Sequence, residues 1–379
     1  MAKFRTALLV TYTMADPAAV GVFFRALRLS RELHRRGWTC VVFNYGPIPD
    51  DPKVDESRGT CEIIRFDSDN SQRDLDLILG IYRRIAPRVV LFGEYPLHFM
   101  EPLLLGARLL VTPPVLVLDQ YYGPDSGAEL WGVDVYLVYG VGSLWTDSRP
   151  PRRSLAVIPP FIDLVTPKGE LPVPAALAAL PWMTIVGFDP RVMCAGIELL
   201  ARLCDVGVAG VVLSHDPAEA ARLMREAGVP NDRAVALPLQ HDGILFGLIA
   251  ASRVVVLANG FMQLAEAVAL GCPAICVHRG IGMEGYTLHE VFRPYVCFED
   301  SPDARVARAR AWLRESPFSE ECLIKLRRER GGAGVTADCV ERTAARPRWR
   351  PKMQRLRARW RRRIFNLEPP RAPAADETA

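Results

Sequence analysis

Along the first 160 residues, short apolar runs alternate with stretches whose apolar positions recur every three or four residues. That is the pattern of strand-helix-strand units feeding a parallel sheet. Thr6 to Tyr12 reads as a buried strand. Residues 22–36, with Phe23, Phe24, Leu27, Leu29 and Leu33 on one face, read as a helix closed by Gly37. Cys40 to Phe43 is the next strand. Further strands are predicted over 62–65, 89–92 and 115–118, with helices over 74–85 and 97–109.

Between Pro150 and Pro181 lie eight prolines, a density that opposes regular helix and most strand pairing and marks an interdomain linker. Alternation then resumes. Strands are predicted over 183–186, 210–213, 234–237, 254–257 and 274–277, and helices over 195–203, 217–227, 244–251 and 263–270. The expected fold class is therefore α/β, with two Rossmann-like parallel-sheet domains in tandem. Residues 1–160 form the first domain, 161–180 the linker and 181–345 the second. Residues 346–379 are a basic amphipathic segment with a disordered Pro/Ala end. Open parallel sheets bind ligands outside the carboxyl ends of their strands, so two in series enclose a cleft.

Composition adds little until its distribution is considered. The chain has 379 residues and a formal net charge of +4. Residues 346–363, however, hold ten basic groups and no acid, so the body is mildly acidic and unsuited to nucleic acid as its main partner. In that tail Trp349, Met353, Leu356, Trp360 and Ile364 fall on one helical face. An interfacial helix on an anionic membrane surface, over residues 349–365, is the expectation, against a final helix docking on the body or an RNA-attracted tail. The nine cysteines include no CxxC pair and no His at zinc spacing, so they read as reduced core thiols of a cytoplasmic protein. The apolar run after the basic amino terminus lacks a cleavage-site pattern and reads as the first strand. Arg108, Pro113 and Pro114 interrupt the longest candidate span.

The most informative segment is VVVLANGFMQLAEAVALGCPAICVHRG, residues 254–280. A strand ends at Ala258, Asn259 and Gly260 turn, and a helix begins near Phe261. A small residue before a helix start favours close approach of a phosphate, and Glu266 further along is a candidate for ribose hydroxyls. The set Gly260, Glu266, Ala267, Gly271 and Pro273 resembles the donor-site motif of GT-B glycosyltransferases, especially the group containing the UDP-N-acetylglucosamine transferase of peptidoglycan synthesis. Residues 19–43, 87–110 and 331–341 are similar to that family's first helix and second strand, acceptor-domain strand and turn, and closing helix.

The resemblance implies transfer of a sugar from a nucleoside diphosphate, UDP above all, to an acceptor hydroxyl, with inversion. It implies no cofactor and no metal, the nucleotide sugar being a co-substrate. It places Asn259, Gly260, Phe261, Met262, Gln263 and Glu266 at the donor, with Gly187 from the second domain's first loop and with His278, Arg279 and Glu284 beyond the next strand. The family's first-loop His is replaced by TYTMADPAAVG, in which Asp16 is the one titratable group, a candidate general base or simply a turn residue. Glu94 and His98 after a strand end are further base candidates, with a helix cap and a half-buried His as the plain reading. Asp119, Tyr121 and Tyr122 are acceptor candidates. Asp189 opposes a diphosphate and Arg191 offsets it; the neighbours Ser214, His215 and Asp216 cannot form a triad. Two alternatives stay open: a non-catalytic sugar-nucleotide-binding or scaffold protein of the same fold, and a nucleotide-sugar 2-epimerase.

Overall fold

The computed structural model describes residues 5–13, 20–66, 75–93, 113–119, 134–141, 155–162, 164–258, 261–277 and 292–345. Its first half is a seven-stranded sheet of order β3-β2-β1-β4-β5-β6-β7, every pairing parallel. The strands are β1 (Thr6–Tyr12), β2 (Thr39–Tyr45), β3 (Cys61–Phe66), β4 (Val89–Phe92), β5 (Val115–Asp119), β6 (Val135–Tyr139) and β7 (Leu155–Ile158). Helices α1 (Val20–Arg35), α2 (Pro52–Ser57) and α3 (Leu75–Ile85) connect them. The middle of β1, Ala7 to Val10, is apolar because both its faces are covered. Ala7 and Leu9 pack with Phe23 and Leu27 of α1, while Leu8 and Val10 join Tyr82 and Phe92 on the far side.

The second half is a six-stranded parallel sheet of order β10-β9-β8-β11-β12-β13. After a short helix α4 (Ala175–Ala178) its elements run β8 (Trp182–Gly187), α5 (Pro190–Ala201), β9 (Ala209–Ser214), α6 (Pro217–Glu226), β10 (Ala234–Pro238), α7 (Asp242–Ala251), β11 (Val254–Ala258), α8 (Phe261–Ala269), β12 (Ala274–Val277) and β13 (Val296–Cys297). Helices α9 (Pro302–Arg314), α10 (Glu320–Arg328) and α11 (Gly332–Ala345) follow. In both sheets the strand order reverses beside the first strand, at β1/β4 and at β8/β11, which is where open sheets bind ligands.

Three expectations need correction. The proline-dense stretch contains β7, the edge strand of the first sheet, because Pro151 and Pro159 bracket those four residues rather than interrupt them. It also contains the one-turn α4, which starts after Pro174, where a missing N–H costs nothing. The helix expected over 195–203 begins instead at Pro190, since Asp189 caps it and accepts from the Arg191 N–H at 2.8 Å. The helix expected over 97–109 and the tail at 346–379 lie outside the described residues.

α11 crosses back onto the first domain. Its Gly332 N–H donates to the Pro160 carbonyl at 3.0 Å, and a Cβ there would stand 1.8 Å from the Pro159 carbonyl oxygen. Among the described residues no helix is long and apolar enough to cross a membrane.

Candidate functional site

At the first switch point the loop mouths are held by backbone and buried polar groups. Thr13, the last described residue after β1, donates its N–H to Tyr45 O at 2.7 Å. The Thr11 hydroxyl donates to Asn44 Oδ1 and the Asn44 amide to Thr13 Oγ1, both at 2.9 Å. Gly46 closes against this corner with φ 98°, where a Cβ would lie 2.1 Å from Thr13 O, so only glycine fits. Arg25 of α1, 1% exposed, donates to the carbonyls of Gly93 and Leu118, and its guanidinium lies 5.2 Å from the Tyr139 ring centroid. One buried arginine thus ties the carboxyl ends of β4, β5 and β6. The loops carrying Asp16 and Glu94, and the one after Asp119, leave from neighbouring strand ends. Asp119 is the last residue of β5, whereas Asp16, Glu94, His98, Tyr121 and Tyr122 lie outside the described residues.

At the second switch point Gly187 ends β8 beside β11. A Cβ on it would stand 2.8 Å from Leu213 O and 3.2 Å from Met193 Cβ, so its missing side chain is required by packing, and no ligand approach is needed to explain it. The Asp189 carboxylate accepts from the Arg191 guanidinium at 2.7 Å, which offsets its charge as anticipated. Ser214 Oγ accepts from the Asp216 N–H at 3.1 Å while Asp216 caps α6, so Ser214, His215 and Asp216 form a helix start and no triad. Asn259, Gly260, His278, Arg279 and Glu284 lie outside the described residues; Phe261 opens α8, Met262 is buried and Gln263 half-buried.

Glu266 is where the structure departs most from expectation. Its carboxylate is 2% exposed, and Oε1 accepts both from Arg28 Nη1 of α1 and from the Tyr139 hydroxyl at 3.3 Å. Arg28 turns its other edge to Asp242, with Nε 2.9 Å from Oδ2 and Nη2 2.8 Å from Oδ1. Its guanidinium stacks over Phe246 at 4.8 Å. Arg31 donates to the same Asp242 and, at 2.6 Å, to Glu56. Burial alone would raise the Asp242 carboxyl, but Arg28, followed by Lys53 and Arg31, holds it well below the usual carboxylate range. Burial pushes Glu266 up, and the negative charge of Asp242 adds to this against the opposing pull of Arg28. The carboxylate assigned to ribose is therefore committed, in this arrangement, to a side chain from the other domain.

Arg25 and Arg28, and Tyr139 with them, escaped the sequence reading. Their signal was present: two arginines three apart amid Phe24, Leu27 and Leu29, on the helix face that the sheet had to bury. The start of α1 meets the start of α8, for a Cβ on Gly21 would rest 3.4 Å from Met262 Cε. Among the described residues no group of three metal-ligating side chains occurs.

Two Rossmann-like domains with facing switch points and a closing helix that returns to the first domain define the GT-B architecture. Solved structures share it. The chain is similar to a glycosyltransferase of Rickettsia africae (12% identity, TM-score 0.57, covering 91% of this chain and 100% of that one). It is also similar to MurG of Acinetobacter baumannii (15%, 0.58, 89% and 99%). A third likeness is to a putative UDP-N-acetylglucosamine 2-epimerase of Listeria monocytogenes (12%, 0.55, 89% and 94%). No protein-family model and no curated protein sequence matches.

Proposed function

We propose that the protein is a glycosyltransferase that moves a sugar from a nucleoside diphosphate, UDP being the first choice, to an acceptor hydroxyl. The observation that carries this reading is the approach of Gly21 to Met262. In sequence Asp16 precedes α1 and Asn259-Gly260 precedes α8, so the two helix starts that meet here follow the segments holding the base and donor candidates.

In this reading the free N–H groups of the first turn of α8 receive the diphosphate and stabilise its charge as it leaves, with no metal required. Arg279 adds a cation, and His278 and Glu284 flank the sugar. Asp16, Glu94 or His98 takes the proton of the acceptor hydroxyl, and Asp119, Tyr121 and Tyr122 hold the acceptor. Direct attack opposite the departing diphosphate inverts the sugar carbon.

The test is thermal unfolding with UDP, dTDP, GDP and CDP, followed by product analysis with the matching sugar donors. A ligand selective for the folded state stabilises it by RT ln(1 + [L]/Kd). A shift with one diphosphate, and EDTA-insensitive consumption of its sugar donor that slows in one of Asp16→Asn, Glu94→Gln and His98→Gln, is expected. No shift at millimolar concentration would overturn the reading. Since a putative 2-epimerase shares the fold, an isomerised donor formed without acceptor would replace it. The burial of Glu266 against Arg28 favours a second reading, a binding protein without turnover, which predicts the shift and no product.

A further inference from the structure

We propose that Arg28 latches the donor site shut, occupying Glu266 until a nucleoside diphosphate displaces it. The inference rests on the donor assignment above. Glu266 is buried, so nothing from solvent reaches it while α1 lies on α8. A ribose therefore cannot add to the carboxylate; it has to replace what is there.

The contact is built for exchange. At the centre of the seam the first domain presents Arg28, Arg31 and Lys53, with Asp51 and Glu56 beside them, and the second presents Asp242 and Glu266. When these faces part, each exposes ionised groups that water solvates well, so separation costs less than it would for an apolar seam of the same size. The incoming ligand supplies both halves of the trade. Ribose hydroxyls donate to Glu266 in place of Arg28, and the phosphates offer Arg31 the negative charge that it loses with Asp242.

Affinity for the nucleotide is then reduced by the fraction of molecules that are unlatched, and removing the latch restores it. Arg28→Met is a survivable change, because Asp242 keeps Arg31 and Glu266 keeps Tyr139, which leaves these two bonds across the seam where Arg28 had added three more. A second variant leaves Arg28 in place. A Cβ added at Gly21 would lie 3.9 Å from Met262 Cβ, within the range that a disulfide spans, so Gly21→Cys with Met262→Cys ties α1 to α8 on oxidation.

Full-length wild type, Arg28→Met and the oxidised and reduced double variant are titrated with UDP and the other three diphosphates by calorimetry. X-ray scattering of each is recorded without ligand. The latch predicts a Kd on the order of tenfold lower in Arg28→Met, with a larger radius of gyration, and loss of binding in the oxidised double variant that reductant restores. Equal binding by its oxidised and reduced forms overturns the latch, as does an unchanged Kd or scattering profile in Arg28→Met; in either case wild-type binding still upholds the donor site. Absence of binding in every protein, including the unlatched one, overturns the donor site itself and the latch with it.

Discussion

Trp38 donates its indole N–H to Glu341 at 3.2 Å, and through that bond the loop before β2 holds α11, the last of the described helices. Arg36 joins it, donating to Asp338 and, at 3.2 Å, to Glu341. The Glu341 side chain is 34% exposed, so solvent weakens these charges. Glu341→Ala is expected to cost about 1 kcal/mol or less in urea unfolding. A loss of several kcal/mol would show that α11 depends on this bond more than its exposure allows.

Gly332→Ala is expected to be far more damaging. The added methyl would meet the Pro159 backbone, which has no rotamer to yield. A loss of about 3 kcal/mol, at the upper end for overpacked sites, is the expectation, read as a lower thermal midpoint. An unchanged midpoint would mean that α11 can shift along the first domain freely.

Glu266 gives stability a pH dependence whose sign is set by burial. Its folded pKa lies above its ordinary 4.5, so as pH rises past that value the unfolded chain gives up the proton first and stability falls until the folded value is passed. Asp242 acts oppositely and lower. Its folded pKa is depressed, so its contribution is complete above about 3.8 and fades only as pH falls through the lowered value. Glu266→Gln removes the falling limb. Urea unfolding of both proteins between about pH 4.5 and 8 should show the variant gaining on wild type as pH rises, and a constant difference would contradict the shift.

Deleting residues 346–379 should abolish binding to vesicles containing an anionic lipid while leaving the thermal midpoint within about a degree. Cosedimentation at low and high salt measures it. Retained binding would place any membrane surface elsewhere on the molecule.

Much of the fold was legible because parallel strands buried on both faces read as unbroken apolar runs. Thr6 to Tyr12 and Ala274 to Val277 needed no context. β6 was missed, although Val135 to Tyr139 is such a run, and α2 was missed despite the Asp51-Pro52 start that caps it. α9 was hidden by four arginines spread along it, and α10 by five charged residues among its nine. The site was legible only as loops. Glu266 stood out by its motif, but its partner Arg28 is 238 positions away, and no local period records which charges two domains bring together.

Among the described residues the chain crosses between the domains twice, once after β7 and again on entering α11, and the two crossings touch where Gly332 meets Pro159. A door with both straps fixed at one post can swing only about that post. A parting of α1 from α8 that keeps this contact is a rotation about an axis through it, and severing either crossing would add directions of motion that the intact chain does not have.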